Sequence, residues 1–183
     1  LNRNSAMKSK QMESLSMKTE EQITVLEASI QKSRSVLDRL ADYYQEYREQ
    51  EMDEKQPKRT DAIVIADILV NYYTCLETIF HRISQFFENN LRPDQWHRDL
   101  LEKMTLEVPG IRKAAISDKT YALLSELLKF RHFKRYYFEL EYDWDKLDFL
   151  QKKFHQLQPE VAADLDAFLL VLDELGENLA SRL

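Results

Sequence analysis

Residues 127–138 read Leu-Leu-Lys-Phe-Arg-His-Phe-Lys-Arg-Tyr-Tyr-Phe, an apolar helical pattern that runs directly into a cluster of cations and aromatic rings. At about 100° per residue, Leu124, Leu128, Arg131 and Arg135 share one strip of the predicted helix. Leucine strips pack against protein, so we expect both guanidinium groups at the mouth of a groove or at a subunit contact, where Arg binds phosphate or carboxylate. A second strip is wholly apolar and carries Leu123, Leu127, Phe130, Phe133 and Tyr137.

The composition around this stretch predicts an all-α fold. The 183 residues include only two glycines and four prolines, with 32% charged and 44% apolar residues, whereas sheets with many turns need more Gly and Pro. The length fits one domain. We expect a frayed or disordered tail over residues 1–11 and a single helical-bundle domain over residues 12–183. We find neither a secretory signal nor an apolar run of about 20 residues, which predicts a soluble, cytoplasmic protein that does not enter a membrane.

Two long seams of apolar residues predict an N-terminal antiparallel helix hairpin. The first helix covers about residues 12–52, with seam positions Ile23, Leu26, Ile30, Ser33, Leu37, Leu40, Tyr44 and Tyr47. A polar loop around Pro57 separates it from the second helix, which we expect to be capped by Thr60 or Asp61. The seam of this second helix is Ile65, Leu69, Tyr72, Leu76, Ile79, Ile83 and Phe86. Further apolar residues widen its buried face, so it should be the central helix.

The rest of the chain predicts three or four more helices. A short one covers residues 95–104, where Trp96 and His97 are interpreted as a hydrophobic staple, with anion binding by backbone amides as the alternative. The next is capped by Ser117 or Asp118 and carries the 127–138 stretch. A fifth covers residues 144–157, and a sixth begins at Pro159. The prediction is an up-and-down bundle of about five to six helices.

Several kinds of chemistry are excluded or disfavoured. Cys75 is the single cysteine, so an intrachain disulfide and a four-cysteine zinc site are excluded, and it is interpreted as a core residue. Histidines do not pair at i, i+3 or i, i+4, so we predict no metal site and no cofactor. His81 is interpreted as a partly buried or surface histidine. The net charge of −6 argues against a basic protein coat on nucleic acid, so any RNA contact must be local.

Four segments together resemble the HepT-like branch of the HEPN domains: 96–104, 108–112, 127–135 and 144–147. The resemblance covers roughly residues 63–175. It implies a helical bundle that forms a homodimer, in which the ends of the motif helices line a shared basic cleft. It also implies a metal-independent endoribonuclease that acts as a toxin beside an MNT-type nucleotidyltransferase antitoxin, which silences the toxin by adenylylating a tyrosine.

The family motif is an arginine, four residues, a histidine, any residue and a tyrosine. Here the arginine is Arg131, the histidine position is Tyr136 and the tyrosine position is Phe138. The histidine would transfer protons and the arginine would hold the phosphoryl group. A phenol with a pKa of about 10 is a poor base where imidazole titrates at about 6.5. The departure predicts weakened or lost catalysis, with His132 as a stand-in, and it moves adenylylation to Tyr136 or Tyr137.

Three hypotheses follow. The first is a HepT-like toxin ribonuclease, weakened or inactive, with Arg131, Tyr136 and His132 as catalytic candidates and Arg131, Lys134 and Arg135 as RNA-phosphate ligands. The second is a non-catalytic HEPN module that binds RNA, a nucleotide or a partner protein through the basic cleft.

The third hypothesis gives the cations a structural role. The arginines then finish the helix and pair with the acidic residues just downstream, Glu139, Glu141 and Asp143. Exposed ion pairs of this kind contribute about 0–1 kcal/mol.

Overall fold

The computed structural model describes the backbone of residues 2–88 and 96–181, and the side chains of residues 19–87, 100–179 and 181. The described residues form five helices, α1 Asn2–Gln50, α2 Arg59–Glu88, α3 Trp96–Met104, α4 Asp118–Tyr136 and α5 Trp144–Ala180. The predicted all-α bundle is confirmed. The side chains of Trp96 and His97 lie outside the described residues, as do those of residues 1–18. The staple and the tail boundary at residues 11 and 12 therefore stay predictions.

The N-terminal hairpin forms as predicted. Ile23, Ile30, Leu37 and Tyr44 of α1 are at most 2% exposed, and α1 packs against α2 and α5. The contacts run antiparallel, because the Tyr47 hydroxyl near the end of α1 bonds Asp61 near the start of α2. Near the other end of the hairpin, Arg82 bonds the Ser29 carbonyl.

Helix α2 is the centre of the bundle, since it contacts α1, α3, α4 and α5. By length and hydropathy alone, the helical segment Arg59–Phe87 could cross a membrane. The sequence pattern alone did not predict such a segment. However, 56% of its most apolar window is buried inside the bundle. The core residues of this helix that are fully buried are Ile65, Ala66, Leu69, Leu76, Ile79 and Ile83. Packing against the other four helices therefore accounts for the hydropathy of α2.

The start of α2 differs from the prediction that Thr60 or Asp61 caps it. The helix begins at Arg59, so Asp61 is its third residue. The Asp61 carboxylate accepts the Lys58 N–H at 2.7 Å and the Tyr47 hydroxyl at 2.7 Å. It reaches back to the residue before the helix, as the acidic member of a capping box does. Burial is the main cause that raises the pKa of Tyr47 to about 12, and the hydrogen bond to Asp61 is the second.

Helix α4 begins at Asp118 and is capped by Ser117, one of the two predicted caps, whose hydroxyl accepts the N–H of Thr120 at 3.2 Å. The Ser117 N–H in turn donates to the Asp164 carboxylate of α5 at 2.9 Å. Lys119 and Glu160 form a second link between the same helices, 2.6 Å apart. The start of α4 therefore lies against the middle of α5, and the end of α4 lies near the start of α5, where Phe130 contacts Tyr142. The two helices thus run antiparallel.

The predicted fifth and sixth helices are one helix, and the prediction that a new helix starts at Pro159 is wrong. Pro159 lies inside α5, where proline usually costs about 3 kcal/mol. Each large apolar side chain that α5 buries contributes about 1.5–3 kcal/mol, and one buried strip continues through the proline. Its members are Leu150, Phe154, Leu157, Val161, Leu165, Phe168 and Leu172. Gly176 also lies within this helix.

Two carboxylates meet between α1 and α5. The Glu27 side chain lies beside Asp173, and its Oε1 is buried with no hydrogen-bond partner among the described residues. Burial raises the pKa of Glu27, and the charge and side-chain hydrogen bond of Asp173 raise it further. Ionised Glu27 therefore opposes folding at pH values above its folded-state pKa.

We predict that Glu27→Gln stabilises the protein at pH 7. The folded-state pKa of Glu27 lies above its unfolded-state value, so the cost of its charge is present at neutral pH. That cost disappears as the pH falls below the unfolded-state value. Urea unfolding monitored by circular dichroism should show a higher midpoint for the variant at pH 7 and a smaller difference near pH 4. Glu46→Gln, at an exposed site on α1, is the control. An equal gain at both pH values would contradict the assignment.

Candidate functional site

The last turns of α4 place Arg131 against the central helix. Its Nη2 lies 3.0 Å from Oε2 of Glu77 on α2, and the two side chains are 19% and 8% exposed. Its Cζ lies 5.8 Å from the ring centroid of Tyr73, one helical turn earlier on α2, within cation–π range. Arg131 thus faces protein together with the leucines of its strip. Its observed partner is a buried carboxylate on another helix.

The guanidinium of Arg131 retains a donor group. Its Nη1 is buried and has no hydrogen-bond partner among the described residues. Burial raises the pKa of Tyr73, with the charge of Glu77 adding to the effect, so this neighbour stays a neutral phenol. A guanidinium held on one side by Glu77 can donate from its other nitrogen to an anionic oxygen that enters the contact between α2 and α4.

The other two phosphate-binding candidates occupy different environments. Lys134 lies 2.5 Å from Oδ1 of Asp67 on α2, and its side chain is 20% exposed. Arg135 is exposed, and its Cζ lies 5.8 Å from the Tyr136 ring centroid. Carboxylates of α2 therefore hold two of the three cations, whereas Arg135 presents its charge to solvent.

His132 and Tyr136 lie on the solvent side of α4, away from the α2 contact of Arg131. Tyr136 is 71% exposed, and His132 is also exposed. The helix ends at Tyr136, where the N–H of Tyr137 still bonds the Lys134 carbonyl at 3.3 Å. The structure thus separates the three catalytic candidates over two surfaces within one chain.

The predicted pairing of the arginines with the acidic residues downstream of α4 is not what the structure shows. Glu141 lies 3.7 Å from Arg59 of α2, and Asp143 caps α5 and lies 3.9 Å from Lys146. The Glu139 carbonyl also accepts a hydrogen bond from Arg59, at 2.7 Å. These residues tie the α4–α5 connection to the start of α2.

Sequence reasoning missed Tyr73 and Glu77, and it treated His81 as unremarkable. These three residues recur every four positions on α2 and so share one strip. Glu77, Thr78, His81, Arg82 and Gln85 line a shallow groove of about 300 Å³ beside the ion pair. The sequence did contain a signal for this pair. Glu77 is a carboxylate among the apolar residues of a helix that is buried on several sides, and such a charge needs a partner.

A larger concavity lies between α4 and α5, on the apolar strip of α4. We call it the aromatic pocket; its volume is about 590 Å³. Phe130 and Phe133 are 6.2 Å apart and inclined by 28°, and Phe133 and Tyr137 are 4.7 Å apart and inclined by 27°. Tyr142 and Phe149 complete its ring-bearing lining.

The described residues contain no group of three or more His, Cys, Asp or Glu side chains that could hold a metal ion. The Cys75 thiol is half-buried and donates to the Ser33 carbonyl at 3.4 Å. Burial raises the pKa of this thiol, which keeps it protonated and disfavours a nucleophilic role.

Comparison with known proteins gives one family. A family model described as HepT-like protein matches residues 64–172. The match covers most of α2, all of α3 and α4, and α5 as far as Leu172, so every candidate residue of the site lies within it. No curated protein and no solved structure gives a significant match.

We predict that the Glu77–Arg131 pair is energetically coupled. Removing one partner leaves the other charge buried, so Glu77→Gln and Arg131→Gln should each lower the free energy of unfolding by about 3 kcal/mol. The double variant Glu77→Gln/Arg131→Gln should lose clearly less than the sum, because neither charge is stranded. Urea titrations of the four proteins measure the coupling. Simple additivity would contradict the pair, and Lys129→Gln, at an exposed site on α4, is the control.

Proposed function

Because the chain belongs to the HepT-like family, whose model matches more than half of its length, we propose that it is a HEPN protein of a toxin–antitoxin system acting in the cytoplasm. Its activity derives from a metal-independent RNA endonuclease, with catalysis weakened or lost. The observation that carries the proposal is that the candidate site is divided between a buried arginine and an exposed tyrosine. Arg131 is held in place with a donor to spare, while an exposed tyrosine stands at the motif's histidine position.

The phosphate-binding half of the site is supported by the contacts of Arg131. Its guanidinium is fixed by Glu77 and Tyr73, so little side-chain entropy remains to be lost when it binds a phosphoryl oxygen. Arg135, on the next turn of the same strip, adds an exposed positive charge. Donors held ready for a developing anionic charge are the usual means of stabilising a phosphoryl-transfer transition state.

The proton-transfer half is deficient. Tyr136 places a phenol where the motif has an imidazole, and a phenol is a poor general base at neutral pH. Loss of general acid–base catalysis typically lowers a rate by about 10²–10⁴. His132 offers an imidazole, but it lies on the exposed strip next to Arg131 rather than on the same one. This arrangement supports slow turnover or none.

The exposed residues at and just after the end of α4 support two partners, a second copy of the chain and a nucleotidyltransferase. Tyr136, Phe138 and Leu140 are 71%, 82% and 41% exposed, an apolar surface suited to a second copy of the chain in a homodimer. Tyr136 also presents the more accessible hydroxyl for adenylylation by an MNT-type nucleotidyltransferase, because the Tyr137 hydroxyl donates to the Glu141 carbonyl at 2.5 Å. In that reaction the phenol oxygen attacks the α-phosphorus of ATP and pyrophosphate leaves.

The second candidate function is a non-catalytic HEPN module that binds RNA, a nucleotide or a partner protein through the basic cleft. The observation that favours it is the pair of motif departures, Tyr136 and Phe138. Both remove a group that the family motif uses, whereas the cations remain.

We predict that Tyr136→His raises metal-independent RNA cleavage by up to about 10²–10⁴, because it restores an imidazole at the motif position. The measurement is single-turnover cleavage of total RNA in the presence of a chelator. Tyr43→His, at a tyrosine that is 51% exposed on α1, is the matched control and should leave cleavage at the wild-type level. Glu77→Gln/Arg131→Gln in the Tyr136→His background should remove the gain without stranding a buried charge. Background-level products from a folded Tyr136→His protein would refute the enzyme proposal and leave the binding module.

We also predict that Arg135→Ala weakens binding of single-stranded RNA and lowers the salt dependence by about one released counterion. Fluorescence anisotropy with labelled RNA at several salt concentrations measures both effects. Lys152→Ala, at an exposed site on α5, is the control and should bind like the wild type. Affinity that does not respond to salt would contradict phosphate recognition.

A further inference from the structure

The aromatic pocket has no role in the site proposed above. It lies on the apolar strip of α4, whereas Arg131 points toward α2 from a different strip of the same helix. Its volume of about 590 Å³ falls within the range of about 300–1,000 Å³ that is usual for small-molecule sites. The pocket is therefore large enough for one planar heterocyclic ring.

The walls of the pocket present ring surfaces to solvent. Phe133 is 47% exposed and Phe149, which approaches from α5, is 45% exposed. The Phe133 ring is held by two neighbours, because the Tyr137 ring stacks on it at 4.7 Å and the buried Phe130 ring lies 6.2 Å away. The Tyr137 hydroxyl is itself tied to the Glu141 carbonyl. The exposed ring is thus preorganised for stacking.

Charge at the mouth selects the kind of ring. Residues at the mouth form three ion pairs. Lys129 lies 2.7 Å from Glu126 and Lys146 lies 3.9 Å from Asp143. Arg59, next to the pocket, lies 3.7 Å from Glu141. Each acidic group is therefore balanced by a cation, and the mouth carries little net charge. A neutral planar ring fits such a site better than a charged group does.

We propose that the aromatic pocket binds an unpaired nucleobase of the RNA, stacked on Phe133; this inference rests on the proposed function. Arg135 follows Phe133 by two residues, so its exposed side chain lies on a different strip of α4 at nearly the same height along the helix. A helix with its side chains is about 10 Å across, so one strand can place a phosphate at Arg135 and a nearby base in the pocket. A base inside a duplex is stacked and paired, so the pocket selects single-stranded RNA.

The test uses adenosine monophosphate as the probe and ribose 5-phosphate as the matched compound without a base. Nuclear magnetic resonance titrations of the full chain should show adenosine monophosphate shifting the aromatic signals of Phe133 and Phe149, with ribose 5-phosphate leaving them unchanged. Phe133→Leu keeps an apolar side chain but removes the ring, and should weaken adenosine monophosphate binding by about 10-fold. Tyr43→Leu removes an aromatic ring that is 51% exposed on α1, outside the pocket lining; it is the control and should bind as the wild type does.

Equal responses to the two compounds, or unchanged binding in Phe133→Leu, would overturn the nucleobase assignment. Loss of a protein partner in Phe133→Leu without any adenosine monophosphate binding would also overturn it and would assign the pocket to protein docking. The outcomes separate from those of the cleavage assay. If the nucleotide binds at Phe133 but the protein never cleaves RNA, the ribonuclease proposal is refuted and the nucleobase pocket stands. If the protein cleaves RNA and Phe133→Leu has no effect, the nucleobase pocket is refuted and the ribonuclease proposal stands.

Discussion

Helix α2 is apolar on several sides, and the need to cover it organises the bundle. The other four helices all pack against it. Its burial removes much more apolar surface from water than a two-helix seam would, which is the main stabilising contribution in a fold of this size. Because α2 is enclosed, each carboxylate near the helix–helix contacts requires a partner on a neighbouring element.

Two buried carboxylates of α2, Asp61 and Glu77, meet that requirement, and the exposed Asp67 forms a third link. Asp61 binds Tyr47 and the Lys58 N–H at the hairpin loop, Asp67 binds Lys134, and Glu77 binds Arg131. The last two attach the end of α4 to the core. The same contacts that hold the bundle together therefore orient the cations of the motif helix, so stability and the candidate function cannot be separated by mutating Arg131 alone.

Several local features were predictable because they depend on neighbours in sequence. The seam of α1, the Ser117 cap and the central role of α2 all follow from helical periodicity and hydrogen-bonding chemistry within a few residues. Pro159 misled the prediction, since its local effect of ending a helix is outweighed by apolar residues on both sides that pack against other helices. Asp61 was recognised as important for the start of α2, but its position in the first turn depended on the chain reversal around Pro57.

Sequence by itself determined the helical class, the family and the chemical groups that lie together at the end of α4, two arginines, a lysine, a histidine and two tyrosines. These properties reside in residue identity and in a period of about 3.6 residues. Only the tertiary structure decided that Arg131 is paired with Glu77, that His132 and Tyr136 face solvent, and that α4 and α5 enclose an aromatic pocket. Such contacts depend on the rotation and register of one helix against another, and packing across the whole bundle sets both.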